Sequence, residues 1–198
     1  MRTMFLLLIL VGVMGGSSAK AQDAAADKPA TQPAAASITT PAISQEQVVA
    51  EIEKCGATVK RDGNAPDGAV VEVIFDRKSS QGVTEAGLEH LEGLKELRTL
   101  NLANTKVTDG GLEHLKGLSQ LVTLNLGCTN VTDEGLAKLK GLNRLENLNL
   151  LITKVSDAGL AHLEGLSQLR SLSVYGSRVT SDGVKKLQQA LPRCKIER

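Results

Sequence analysis

Residues 107–130 read VTDGGLEHLKGLSQLVTLNLGCTN, and closely similar stretches recur along the chain. Val83, Val107, Val131, Val155 and Val179 each open a copy, with successive starts 24 residues apart. Within one copy the apolar spacing changes period. Gly111, Leu112 and Leu115 fall on one face of a helix; Thr108 is placed to cap its start, and Asp109 suits the positive end of its dipole. Gly117 is expected to stop that helix by adopting a left-handed backbone. Leu118 and Leu121 lead inward, and Leu124 and Leu126, two apart, point to one side of a strand. One copy is therefore a short helix followed by a short strand. It cannot bury its apolar face alone, so neighbours stack, their strands form a parallel sheet and their helices lie on the outer side. Gly87, Gly111, Gly135, Gly159 and Gly183 fall in one column, which predicts a close approach of helix and sheet. Thr105, Thr129, Thr153 and Ser177 fall in another, and their hydroxyls are expected to bond neighbouring turns.

With LxxLxxLNLxxT and VTDxGLxxL in view, the chain resembles the leucine-rich-repeat superfamily. It looks closest to the cysteine-containing type, in which an I/V-T-D-x-G-L segment opens each helix. The resemblance covers residues 83–198, and residues 44–82 look like the cap of short exported bacterial members. It implies an α/β leucine-rich-repeat solenoid, a right-handed horseshoe with a parallel sheet on the concave face and short helices on the convex face. It also implies a protein-binding scaffold whose site is the concave sheet. Two departures stand out. Thr or Ser replaces the ladder cysteine in all four full copies, and no F-box-like helical region lies upstream. The ubiquitin-ligase adaptor role of part of the family therefore transfers only weakly.

Outside the repeats the composition shifts. Arg2, the apolar run from Phe5 to Met14 and the closing Ala19-Lys20-Ala21 read as a secretory signal peptide over residues 1–21. That run falls short of the roughly 20 residues that span a bilayer, so no membrane span is expected after cleavage. Residues 22–43, rich in Ala and holding Pro29, Pro33 and Pro41, read as a flexible linker. Ser44 with Gln47 fits a capping box ahead of the apolar stripe Val48, Val49 and Ile52, and Gly56 ends that helix. Strands are expected near Thr58–Lys60 and Val70–Phe75, with a turn at Asp62-Gly63-Asn64, which together make residues 44–82 an N-terminal cap. At the other end, residues 179–198 form a closing repeat in which Cys194 and Ile196 take the inward places, and Lys195, Glu197 and Arg198 charge the last edge.

Lys+Arg total 23 against Asp+Glu 22, a balance that argues against a nucleic-acid partner, which needs an excess of cations. Aromatic residues make up only 2%, so stacking pockets are not expected and the core must be aliphatic. Cys55 lies in the cap, Cys128 in the second copy and Cys194 in the closing one, so no pair is in neighbouring repeats and the roughly 7 Å limit of a disulfide is not expected to be met. Three free thiols follow, with Cys128 the exposed one. His90, His114 and His162 share a helix position, but Lys138 interrupts the series, so no metal is expected; helix capping already accounts for Asp109, Asp133 and Asp157. No cofactor motif or catalytic signature is present, and the carboxylates and histidines recur as columns without converging on one cleft.

Alternation turns Thr99, Thr123, Asn147 and Ser171 outward, then Asn101, Asn125, Asn149 and Ser173, then Ala103, Gly127, Leu151 and Tyr175. The first two columns are polar ladders whose plainest account is mutual hydrogen bonding along the sheet. The third ends in Leu151 beside Tyr175, with Ile152 adjacent, an apolar cluster on a polar face that suggests a contact site. Lys106, Asn130, Lys154 and Arg178 form a largely basic column at the exit edge. The sequence thus predicts a non-enzymatic exported module that binds a protein, or a glycan, through Tyr175, Leu151, Ile152, Asn101, Asn125, Asn149 and Arg178. A self-associating envelope protein is the alternative, or a ubiquitin-ligase-type substrate adaptor if the chain stays in the cytoplasm.

Overall fold

The structure, a computed structural model, describes residues 44–64, 68–75 and 85–198. The expected signal peptide over 1–21, the linker over 22–43 and the boundary at residues 82–83 lie outside the described residues. Among those that are described, no helix is long and apolar enough to cross a membrane.

Helix α1, Gln45–Lys54, opens the described chain. Ser44 Oγ accepts from the Gln47 N–H, and the Gln47 side chain accepts from the Ser44 N–H, so the capping box closes reciprocally. Val48, Val49 and Ile52 are its buried face. Gly56, at φ +84, turns the chain out of the helix, a conformation that costs glycine little. Strands β1, Ala57–Arg61, and β2, Val70–Phe75, pair antiparallel. From β2 onward every pairing is parallel: β3 Thr99–Asn101, β4 Thr123–Asn125, β5 Asn147–Asn149, β6 Ser171–Ser173 and β7 Lys195–Glu197, in that order. Leu100, Leu124, Leu148, Leu172 and Ile196 stand in one register across five strands. The 24-residue period of the sequence is therefore the period of the sheet.

The returning segments are short helices: α2 Glu85–Glu89, α3 Asp133–Ala137, α4 Asp157–Leu160 and the longer closing α5 Ser181–Ala190. Most run on into a single 3-10 turn, at His90–Gly93, Lys138–Gly141 and Ala161–Leu163. The second copy departs from expectation, since Gly111–Leu115 is wholly 3-10. Its first turn carries Gly110 and Gly111 side by side where the next copy has Glu134-Gly135, and each interior glycine weakens a helix by about 1 kcal/mol. Leucines fill the single core, with Leu112, Leu115, Leu118, Leu121, Leu124 and Leu126 all fully buried.

Two expectations about glycines need correction. Gly117 does not take a left-handed backbone; the helix ends there through Lys116 and the Leu118 N–H to Leu115 carbonyl bond. The other column is tight at Gly135, Gly159 and Gly183 because of a carboxylate and not because of the sheet, while Gly87 faces the Cys55 side chain. A Cβ added at Gly135, Gly159 or Gly183 would overlap Oδ1 of Asp109, Asp133 or Asp157, each from the preceding repeat. Those aspartates form a ladder. Asp109 accepts from the Thr132 N–H (2.8 Å) and hydroxyl (2.6 Å), Asp133 from Ser156 (2.7 and 2.6 Å), and Asp157 from Thr180 (2.7 and 2.6 Å). Each of those hydroxyls in turn caps its own helix by accepting a backbone N–H. At the last repeat Ser181 stands where the aspartate would be, and Arg198 closes the ladder by donating to the Val179 carbonyl and to Ser181 Oγ.

The three cysteines are free thiols. Cys128 is half-buried, as is Cys55, so it is not singled out by exposure. Cys194 is buried as expected, and burial raises its thiol pKa above the ordinary value.

Candidate functional site: the open face and exit edge of the sheet

Each central strand is only three residues long, and its middle leucine points into the core. The flanking residues, Thr99 with Asn101 and their counterparts in the next three strands, therefore face out as the alternation predicts. Over β4 to β6 they line a shallow recess of about 230 Å³ formed by Thr123, Asn125, Asn147, Asn149, Ser171 and Ser173 above the core leucines.

The bonding of these polar columns differs from the expected ladder. Asn101, Asn125 and Asn149 each use Oδ1 to accept the backbone N–H two residues on, from Ala103 (3.0 Å), Gly127 (3.0 Å) and Leu151 (2.9 Å). These are local Asx bonds that start the turn after the strand. A side-chain bond between neighbouring strands survives in one place, where Asn147 Nδ2 donates to Thr123 Oγ1 at 3.4 Å. The Thr105 column is likewise local. Thr105, Thr129, Thr153 and Ser177 donate their hydroxyls to the carbonyls of Leu102, Leu126, Leu150 and Val174 in the same repeat, at 2.6–2.8 Å. Thr105, Thr129 and Thr153 are buried inside the turn, and Ser177 is half-buried.

Between these two columns the chain turns through a left-handed backbone. Asn104, Cys128, Ile152 and Gly176 occupy equivalent positions and all have positive φ, at 62°, 58°, 52° and 70°. The N–H of Ile152 donates to the Tyr175 carbonyl, and that of Cys128 to the Leu151 carbonyl, so the strand ladder extends one step further before the chain turns in. Asn and Gly tolerate this conformation; a β-branched residue does not. Ile152 is nevertheless there, and it is 55% exposed. Tyr175, from the next repeat, is 63% exposed. They are the exposed large hydrophobic residues among the described ones.

The other predicted contact residues fall around this pair. Leu151 is half-buried, with its Cβ close above Gly127. The Ile152 side chain lies over Gly176. Arg178 and Lys154 are exposed at the exit edge, and Asn149 flanks Leu151 on the strand side. Asn125 and Asn101 extend the face into earlier repeats, away from the apolar pair. Sequence alternation brought out the apolar cluster but not the backbone bend beneath it, because the four residues at that bend share no side-chain character.

On the helical side, His114 bonds Glu92 through Nδ1 at 2.7 Å, and Glu113 pairs with both Lys116 and Lys138. These groups are already engaged with one another across repeats.

Short strands in a parallel stack, one helical turn per return and a leucine core define a repeat solenoid. Its repeats match the Leucine Rich repeat family model over residues 95–116 and 119–140. Solved structures share the fold, among them the following two. The actin-binding site 2 of leiomodin-1 superposes with a TM-score of 0.53 at 20% identity, covering 76% of this chain and 89% of that one. The tropomodulin C-terminal domain of Caenorhabditis elegans gives 0.52 at 19% identity, over 74% and 92%. No curated protein matches the sequence. The fold is a leucine-rich-repeat solenoid and two of its repeats match that family's model; the cysteine-containing subtype is a narrower assignment that these likenesses do not carry.

Proposed function

We propose that this chain is an exported, non-enzymatic binding module that recognises a protein through the open sheet face, with Tyr175, Ile152 and Leu151 at the centre of the contact. The observation that carries the reading is Ile152. A β-branched residue at positive φ costs on the order of 1–3 kcal/mol, and with half its surface in solvent Ile152 recovers little of this by burial. Its apolar side chain is held out beside Tyr175, an arrangement that folding does not need and a partner can use. The recurrence of carboxylates and histidines as repeat columns in the sequence is what the non-enzymatic part rests on. Leiomodin-1, which shares the fold, contributes an actin-binding site by its description; a likeness of fold alone does not bring actin to this chain. Export rests on the pattern of residues 1–21, and finding an intact Met1 in the cytoplasm by mass mapping would instead favour the adaptor reading.

The direct test is photo-crosslinking in cells that make the protein. A photo-reactive phenylalanine analogue is placed at position 175, or at Glu164 on the helical side as control. A discrete protein adduct from position 175 and none from 164 is the expected result. Equal, diffuse labelling from both positions would contradict the assignment.

A further inference from the structure

The polar groups left unspent on the open face are weighted toward donors. Asn101, Asn125 and Asn149 have each committed Oδ1 to a backbone N–H. A backbone N–H can be met only by the amide oxygen, so that bond also fixes the orientation of the amide. Among the described residues, none of these three Nδ2 groups has a hydrogen-bond acceptor. A row of oriented amide donors therefore repeats along the sheet at the strand spacing, about 4.8 Å.

The exit edge adds positive charge. Lys154 and Arg178, in adjacent repeats, are exposed and have no ion pair among the described residues; the same holds for Lys106 two repeats earlier. Asp157, three residues after Lys154, spends both oxygens on the cap of the following repeat, and Asp182, four residues after Arg178, is paired with Lys185. On the helical side, by contrast, Lys116 and Lys138 share Glu113 as an ion-pair partner.

We infer that the occupant of this face is an extended acidic peptide segment with one apolar side chain, which seats the apolar side chain over Ile152 and Tyr175 and directs its carboxylates and carbonyls to the free amide donors and to Lys154 and Arg178. The inference rests on the binding reading above and specifies its partner. From the Asn101 strand to the Tyr175 repeat is three strand spacings, about 14 Å, which about four extended residues cover. A nucleic acid finds too little cationic surplus in a chain of net charge +1. A sulfated polysaccharide would use the cations but has little to set against exposed Ile152.

The test is selection of a random peptide library, displayed on phage, against the full chain at low salt, followed by anisotropy titration of the enriched peptides. Enriched sequences should be acidic with an apolar residue, and their binding should weaken about tenfold or more in Ile152→Asn and in the double variant Lys154→Gln, Arg178→Gln. Neutral or basic peptides that are still lost in Ile152→Asn would overturn the acidic assignment and leave the site standing. Acidic peptides that bind Ile152→Asn unchanged would overturn both. A library that yields nothing, or heparin binding that depends on Lys154 and Arg178 but not on Ile152, would overturn the peptide assignment.

Discussion

At the residue scale the informative positions are those where side chain and backbone disagree. Ile152 has φ +52°, while the equivalent places hold Asn104, Cys128 and Gly176. Ile152→Asn is expected to raise stability by about 1 kcal/mol, since Asn accepts this backbone and Ile does not; the urea midpoint measures it. Gly159 makes the opposite case. An added methyl there would overlap Asp133, so Gly159→Ala should cost about 1–3 kcal/mol. Gly165, with nothing within 4 Å of an added Cβ, should tolerate Ala with a change of about 0.5 kcal/mol or less in the same titration. The first contrast is not legible in the sequence, and the second only in part. The Gly159 column predicts a close approach, but to the sheet and not to Asp133; Gly165, equivalent to Gly117, reads as a left-handed helix stop, which the structure does not show.

At the scale of the element, each short helix is held less by its own length than by the repeat before it. Four or five residues are too few for a stable isolated helix. The ladder from Asp109, Asp133 and Asp157 supplies what propensity does not, by fixing the capping hydroxyl that starts each next helix. Asp133→Ala leaves the Ser156 N–H and hydroxyl without their acceptor, and a loss of about 1–3 kcal/mol is expected in thermal unfolding. The sequence did show a column of Asp next to a column of Thr and Ser. Read within one repeat, it suggested a dipole interaction; the bond in fact crosses to the neighbour. Asn101, Asn125 and Asn149 went wrong in the opposite sense, since a ladder between strands was expected and the structure has local turns. A repeat period identifies which residues are equivalent, but whether a short polar side chain bonds within its copy or across to the next depends on an ångström-scale backbone path.

At the scale of the whole molecule the period was decisive. Five equally spaced valines and the change from helical to two-residue leucine spacing predicted the parallel sheet, its order and its register, because stacking is the only way such units bury their leucines. Its carboxylates are expected to make the molecule acid-sensitive. Glu113 is held at a pKa of about 2, first by its bond to Lys116 and then by Lys138. Asp157, Glu51 and Glu197 are likewise lowered, by Thr180, Lys54 and Lys195 respectively. A carboxylate whose folded pKa lies below its unfolded one stabilises fully above the unfolded value and is lost as pH falls through the folded value. The melting temperature should therefore hold steady toward pH 4.5 and decline between there and about 2, the window set by Glu113. Glu113→Gln should shrink that decline, and a melting temperature that rises on acidification would contradict this account. One measurement bears most directly on the binding role: the Ile152→Asn chain, carrying the photo-reactive residue at position 175, assayed in parallel for melting temperature and crosslink yield. A higher melting temperature with the adduct lost would mean that Ile152 is kept for a partner at the expense of the fold. A lower melting temperature with the adduct intact would mean that Ile152 serves the fold, and the binding site would have to lie elsewhere.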